Sequence, residues 1–378
     1  MTVDWLVGTG LAALLAWVVL LALPWRPWSP GEPLQARPSD GPVDLSDLTV
    51  LIPARDEAEL IATTVAAVRS QGVGHRILVI DDGSSDGTAD FARAAGAEVI
   101  EAVPLATGWT GKLWALEQGR RQVVSPLILQ LDADIELRPG VLPALVERFS
   151  EGLGLASIMA VLPTRTLVQR LLLPAYVWFF MLLYPFRLAN GTATRSSAAA
   201  GGCLLVRADA LQAIGGYRAI RHAVIDDCAL AAAIKRAGHR TWIGLSRDVI
   251  SRRACTTIAE VRDLVARTAY IQLRRSPMLL VACTLAMAWL FLLPPLLPLI
   301  DPTAPLHLTV AIGVGVAMVF GYGPLLNFYR LSPLWALALP VTAGLYLWMT
   351  WVSAWRHWRG HGAQWKGRRY DAADRSRV

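Results

Sequence analysis

Residues 127–140 read LILQLDADIELRPG, an apolar run that ends in two carboxylates, Asp132 and Asp134, one residue apart. The five residues 127–131 carry no charge and do not alternate, so they suit a strand buried on both faces. The same pattern recurs upstream. Residues 48–53 (LTVLIP) and 76–80 (RILVI) are strand-like, and the second run ends in Asp81-Asp82-Gly83. Helical apolar spacing fills 57–71, 86–95 and 112–124, and 97–101 reads as a further short strand. Apolar strands alternating with helices predict an α/β domain with a mostly parallel sheet covered on both faces. Ligands of such sheets bind beyond the carboxyl ends of the strands, where these acidic clusters fall.

Three acidic groups follow from this placement. In DDGSSDGT (81–88), turn and N-cap chemistry accounts for Ser85 and Asp86. The adjacent Asp81 and Asp82 need more than a turn to explain them. Asp132 and Asp134 have the spacing to share one hard cation, since Mg²⁺ typically takes one or two carboxylates plus phosphate oxygens. Such a cation would neutralise a departing diphosphate. Asp226 and Asp227 open a predicted helix in VIDDCALAAAIKRAGHR (224–240). Capping and the helix dipole account for one of them. The pair invites a general base, which removes a proton from an attacking hydroxyl.

The 378 residues are 54% hydrophobic and only 17% charged, against roughly 25% charged in an average soluble domain. That excludes intrinsic disorder and argues against a wholly soluble chain. Cys203, Cys228, Cys255 and Cys283 form no CxxC pair, so neither a disulfide framework nor a zinc site is expected. The apolar excess lies at the two ends, in 5–23, 278–300, 306–322 and 334–352. A span needs about 20 such residues at 1.5 Å each to cross about 30 Å of hydrocarbon. Residues 1–34 read as an uncleaved membrane anchor and linker, because Asp4 and no Lys or Arg precede the apolar run. Arg26 and Arg37 follow it, so the domain at 35–277 is expected in the cytoplasm of a bacterial inner-membrane protein. Residues 278–354 are expected to be C-terminal transmembrane helices. The tail at 355–378 holds seven Lys/Arg against two Asp. It reads as a segment on an anionic leaflet rather than a nucleic-acid arm. That charge conflicts with three crossings before it, and Leu293-Pro-Pro-Leu296 is the candidate for a re-entrant break. Ten of the 15 Trp fall in 1–28 or 335–365, as interfacial belts would place them. The apolar 166–188 contains Pro174 and Pro185 and lies between Asp134 and Asp227, which must share one side. It is therefore read as an interfacial or re-entrant segment at the lipid acceptor's entrance, with a buried core helix as the alternative.

Six motifs in order resemble the family 2 glycosyltransferases with a GT-A fold: VLIPARDEAELI (50–61), ILVIDDGSSDGTAD (77–90), GWTGKLWALEQG (108–119), LILQLDADIELRPG (127–140), GGCLLVRADALQAIGGY (201–217) and IDDCALAAAIKRAGHRTWIGL (225–245). The likeness extends to the hopene-associated glycosyltransferases through LYPFR (183–187), RTAYIQLRRSP (267–277), RLSPLWALALP (330–340) and WKGR (365–368). A more distant likeness is to ceramide glucosyltransferase. The resemblance implies that Pro53, Arg55 and Glu57 border the nucleotide, and that Asp81 and Asp82 lie near the base and ribose. It implies that Lys112 is close to the donor, and that Asp132 and Asp134 hold Mg²⁺ or Mn²⁺, with Asp134 the direct ligand. Asp227 is implied as catalytic base with Asp226 beside it. Gln272 and Arg275 resemble a QxxRW motif on the acceptor and diphosphate side, with Ser276 at the Trp position. The expected activity is inverting transfer of a sugar from a nucleotide sugar, expected as a UDP-sugar, to a membrane lipid, hopanoid-related by the likeness. A processive polysaccharide synthase and a non-catalytic membrane scaffold are the alternatives. No nucleic-acid partner is expected.

Overall fold

In the computed structural model, which describes residues 4–150, 152–192, 196–360, 364–365 and 368–369, eight strands build one sheet. They are β1 (Leu48–Ala54), β2 (Arg76–Asp81), β3 (Glu98–Glu101), β4 (Leu127–Leu131), β5 (Ile135–Leu137), β6 (Leu153–Val161), β7 (Cys203–Arg207) and β8 (Arg240–Ser251). Their order across the sheet is β3-β2-β1-β4-β7-β6-β8-β5. Every residue of β1 is buried, as expected for a central strand with helices on both faces. β1 pairs parallel with β2 and β4, β2 with β3, and β6 with β8. β7 runs antiparallel to β4 and β6, and β5 antiparallel to β8. The sheet is mostly parallel, as the alternation of runs predicts.

The chain leaves β4 at Asp132 and re-enters the sheet as β5 at its far edge. The Asp-Ala-Asp segment is thus the short link between the carboxyl end of β4 and the start of β5. The three-residue β5 has too little pattern to read from sequence. The helix expected over 112–124 spans Gly111–Arg120 and stops early, leaving Val124 fully in solvent. The helix expected from Asp86 begins at Thr88, with Asp86 Oδ1 accepting from Thr88 N at 3.1 Å as turn chemistry requires.

Four helical segments, 5–22, 277–300, 305–328 and 333–358, are long and apolar enough to cross a membrane. Pro294 and Pro295 do not break the second. Residues 288–292 adopt a wider π-type turn and the helix continues to Ile300. Pro294 has no N–H to give the carbonyl four residues back. That carbonyl, Leu290 O, accepts instead from Trp17 Nε1 at 3.1 Å. Trp17 is buried and stacks on Trp178 at 6.1 Å. Trp289 Nε1 likewise donates to Thr9 O at 3.0 Å. These indoles join helices within the bundle, where the count of Trp near the ends suggested only belts.

Residues 167–183 form one helix, started by a capping box between Thr166 and Gln169. Pro174 lies inside it without interrupting it; Pro185 follows its end. It packs on the terminal helices through Trp178 against Tyr322 and Phe179 against Tyr346, and Tyr346 Oη donates to Leu172 O at 2.8 Å. This segment is a packed link between the sheet domain and the terminal helices. A second link is Arg247 in β8, which donates to Phe328 O and Asn327 O at 2.7 and 2.9 Å, capping the end of helix 305–328. Most of the basic tail expected at 355–378 lies outside the described residues.

Candidate active site

The carboxyl ends of β1 and β4 and the N-termini of two helices converge on one pocket. Pro53 lies near the carboxyl end of β1 and Glu57 just past it, Lys112 opens helix 111–120, Asp132 and Asp134 follow β4, and Asp226 and Asp227 open helix 226–236. Gly201 and Gly202, just before β7, form its floor, and Arg253, just after β8, its rim. Leu173, Tyr176, Val177 and Phe180 of helix 167–183, together with Leu264, give the same pocket an apolar lining.

Lys112 joins the two acidic pairs. Its Nζ lies 2.7 Å from Asp132 Oδ1 and 3.6 Å from Asp226 Oδ2. Burial works against the ammonium, but the charges of Asp132, Asp226 and Asp227 outweigh it and hold Lys112 protonated well above its ordinary range. Asp132 is raised above the usual carboxylate range, first by burial and then by Asp134 and Asp226, with Lys112 opposing. Asp227 is pushed up to about 6, first by burial and then by Asp226. Backbone N–H groups oppose that shift: Asp227 Oδ1 accepts from Cys228 N at 2.7 Å and Oδ2 from Gly201 N at 2.8 Å. A Cβ at Gly201 would lie 3.2 Å from Lys112 Nζ and 3.4 Å from Asp227 Oδ2. The small-residue run 198–203 therefore lets the backbone reach these two side chains.

Asp134 is buried. Its Oδ2 accepts from Ser251 Oγ at 3.0 Å and from Arg253 Nε at 3.3 Å. Arg253 Nη2 also lies 3.8 Å from Glu57. No cage of three or more metal-ligating side chains stands among the described residues. Two neighbouring carboxylates, Asp132 and Asp134, fit a cation that completes its shell from phosphate and water.

Arg55, Asp81 and Asp82 lie beside this pocket without lining it. Arg55 Nη1 donates to Asp82 O at 2.5 Å and stands 3.9 Å from Asp82 Oδ2. Asp81 accepts from Ser84 N. The loops after β1 and β2 are laced together, with Asp56 N bonded to Ser84 Oγ, Glu57 N to Thr88 Oγ1 and Ala58 N to Asp86 Oδ2. Gln272 and Arg275 also fall outside the lining. Gln272 Oε1 accepts from Tyr184 Oη at 2.6 Å, Arg275 is exposed, and the helix there covers only Ala269–Gln272. Ser276 caps helix 277–287, accepting from Leu279 N at 3.3 Å. The arginines that line the pocket are Arg253 and Arg267. No local signal marks either one: Arg253 lies two residues past β8, which itself carries Arg240, Arg247 and Asp248, and Arg267 is one of several arginines before an apolar run.

Residues 49–215 match the family model described as Glycosyl transferase family 2. A 4,4'-diaponeurosporenoate glycosyltransferase of Staphylococcus aureus (strain MRSA252) is 38% identical over 104 residues, 27% of this chain and 28% of that one. An undecaprenyl-phosphate 4-deoxy-4-formamido-L-arabinose transferase of Pectobacterium carotovorum is 35% identical over 116 residues, 29% of this chain and 35% of that one. These matches thus span about a third or less of the curated relatives. A mannosyltransferase from Pyrobaculum calidifontis, solved in complex with GDP-Man and Mn²⁺, aligns over 93% of this chain and 99% of its own, with a TM-score of 0.53 and 17% identity. That likeness shows the fold, a GT-A-type sheet domain with apolar helices at both ends of the chain.

Proposed function

We propose that this chain, whose residues 49–215 carry a family 2 glycosyltransferase domain, is a membrane-bound inverting transferase that moves one sugar from a nucleotide sugar to a lipid. One observation carries the reading. The pocket holds two acidic pairs, Asp132 with Asp134 and Asp226 with Asp227, joined by Lys112 between Asp132 and Asp226, and the apolar, aromatic side of helix 167–183 lines the same pocket. Diphosphate chemistry and a lipid acceptor need those two halves side by side. The relatives named for diaponeurosporenoate and for undecaprenyl phosphate support a lipid acceptor. The likeness to the hopene-associated group extends the candidates to polycyclic lipids of the hopanoid kind, with a UDP-sugar as donor.

In this reading Pro53, Arg55, Glu57, Asp81 and Asp82 border the nucleotide. A divalent cation held by Asp132 and Asp134 would supply charge neutralisation at the departing diphosphate. Lys112 and Arg253 add fixed positive charge at the same end. Preorganised charge of this kind is usually a large part of catalysis. Asp227 takes the proton from the acceptor hydroxyl. Its affinity for a proton, raised to about 6, suits a base that works near neutral pH. Asp226 and the two backbone N–H groups fix its orientation. The hydroxyl attacks the anomeric carbon from the face opposite the diphosphate, so configuration inverts. Apolar side chains of helix 167–183 exclude water that would otherwise compete as acceptor. The four apolar helices hold this wall at a membrane, with the sheet domain on the cytoplasmic side.

The test is a product analysis. Membranes containing the full chain are incubated with radiolabelled nucleotide sugars, native lipid extract and Mg²⁺ or Mn²⁺. The reading expects one discrete labelled lipid in the organic phase with one of the donors. Label confined to a large aqueous or insoluble product would replace it with polymer synthesis.

A further inference from the structure

The pocket contains one cation more than its acidic groups engage. Lys112 is paired with Asp132 and Asp226, and Arg253 with Asp134 and Glu57. Arg267 also lines the pocket, yet no carboxylate stands within ion-pair distance of it among the described residues. It does not belong to the diphosphate end. It emerges from helix 258–266, whose Leu264 lines the same apolar wall as Leu173 and Tyr176. Tyr176 lines the same pocket, and its phenol lies within electrostatic reach of both Arg267 and Asp227.

The backbone around Arg267 is held in place. Ser353 Oγ, on the last apolar helix, donates to Ala266 O at 2.6 Å and accepts from Tyr270 N at 3.1 Å, with all three groups buried. Arg267 N donates to Asp263 O at 3.3 Å, and Arg356 clamps the Asp263 carboxylate at 2.6 Å. The backbone that carries the guanidinium is thus fixed, and the residue itself is half-buried in the pocket lining. A half-buried charge against apolar walls is costly unless something pairs with it.

We propose that the acceptor is an anionic lipid, whose phosphate or carboxylate pairs with Arg267 while a separate hydroxyl of the same lipid faces Asp227. The inference rests on the transferase reading and narrows its substrate class from lipids in general to lipids with a negative group near the attacking hydroxyl. Arg267 is then a specificity-determining residue for the acceptor. Ser353 acts through it as a positioning residue.

The experiment measures binding, so it does not depend on turnover. The full chain in zwitterionic nanodiscs is titrated with a polyprenyl monophosphate, with a long-chain fatty acid, and with the uncharged alcohol of each chain. The wild type is expected to bind at least one anion about tenfold or more tightly than its alcohol, and the arm that does so tells phosphate from carboxylate. Arg267→Gln should weaken that anion by about 10- to 100-fold, the range of a lost charged hydrogen bond, and leave the alcohols unchanged. Arg267→Lys should keep part of the preference, which guards against a folding artefact. Arg236→Gln, an exposed arginine on another helix, should keep all of it. Equal binding of anion and alcohol by the wild type would overturn the inference. So would a preference that survives Arg267→Gln, or a loss of UDP binding in that variant as large as the loss of lipid. Sugar transfer to an uncharged lipid would sink the inference and leave the transferase reading standing. Arg267-dependent anion binding with no transfer to any lipid would do the reverse.

Discussion

Removing the ammonium that joins the two acidic pairs gives the sharpest test of the pocket's electrostatics. Lys112→Met keeps an unbranched side chain one atom shorter and deletes a charge 2.7 Å from Asp132 and 3.6 Å from Asp226. Breaking a fully buried ion pair costs about 3–5 kcal/mol, because the partner is left uncompensated. The Lys112 side chain is 16% exposed and that of Asp132 34%, so solvent screens part of the loss. About 2 kcal/mol is the expected destabilisation at pH 7. The deficit should also depend on pH. Burial already raises Asp132 and Asp227 above their unfolded values, so the folded chain holds these protons more tightly than the unfolded one. Stability therefore falls as pH rises from the unfolded value near 4 to the folded one, and for Asp227 the loss is complete above about 6. Without Lys112 the folded values rise further, so the variant goes on losing stability at a pH where the wild type has levelled off. Thermal unfolding of both proteins in nanodiscs from pH 5 to 8 measures this. The gap in Tm should widen with pH, and millimolar Mg²⁺ should narrow it by replacing the lost positive charge. A variant as stable as the wild type across that range, or a gap that does not change with pH, would refute the electrostatic account.

Other outcomes follow from the same geometry. Gly201→Ala puts a methyl 3.2 Å from Lys112 Nζ and 3.4 Å from Asp227 Oδ2; turnover should drop about tenfold or more while Tm shifts little, because a small misplacement of reacting groups costs rate before stability. The rate at limiting substrate should rise tenfold per pH unit below about 6 and level off above it, as Asp227 loses its proton; a profile flat from pH 5 to 7 would remove Asp227 as base. Trp17→Phe leaves a smaller aromatic ring and strips the donor from Leu290 O beside Pro294; the lost hydrogen bond alone should cost about 1–3 kcal/mol, read as a lowered Tm.

Much of this was legible because the signals were local. β1 and β4 carry no charge, β2 carries charges only at its two ends, and all three are buried almost throughout, so their runs read as strands without tertiary information. The acidic groups at their carboxyl ends could be placed by topology alone. That Asp132, Asp226 and Asp227 meet at Lys112 was not legible, because the four residues lie on three elements that only the sheet order brings together. Arg253 and Arg267 were missed for the same reason: nothing in their neighbours separates a pocket arginine from a surface one. Gln272 and Arg275 show the converse, since a motif likeness carried no information that the backbone ends its helix at Gln272. Pro174 and Pro294 suggested breaks in their helices. In 277–300 the bundle supplies what the proline removes, by a π-type turn and a Trp17 donor from another helix, and no sequence window contains both partners.

The central claim is that Asp227 removes the acceptor's proton in a pocket that binds donor independently of it. The direct measurement compares wild type and Asp227→Asn in nanodiscs, with nucleotide-sugar binding and single-turnover transfer to lipid extract followed on the same samples. The account predicts that donor affinity stays within about threefold while transfer falls by about 10²-fold or more, the scale of a lost general base. Transfer that persists in the variant, or donor binding lost in step with transfer, would contradict it.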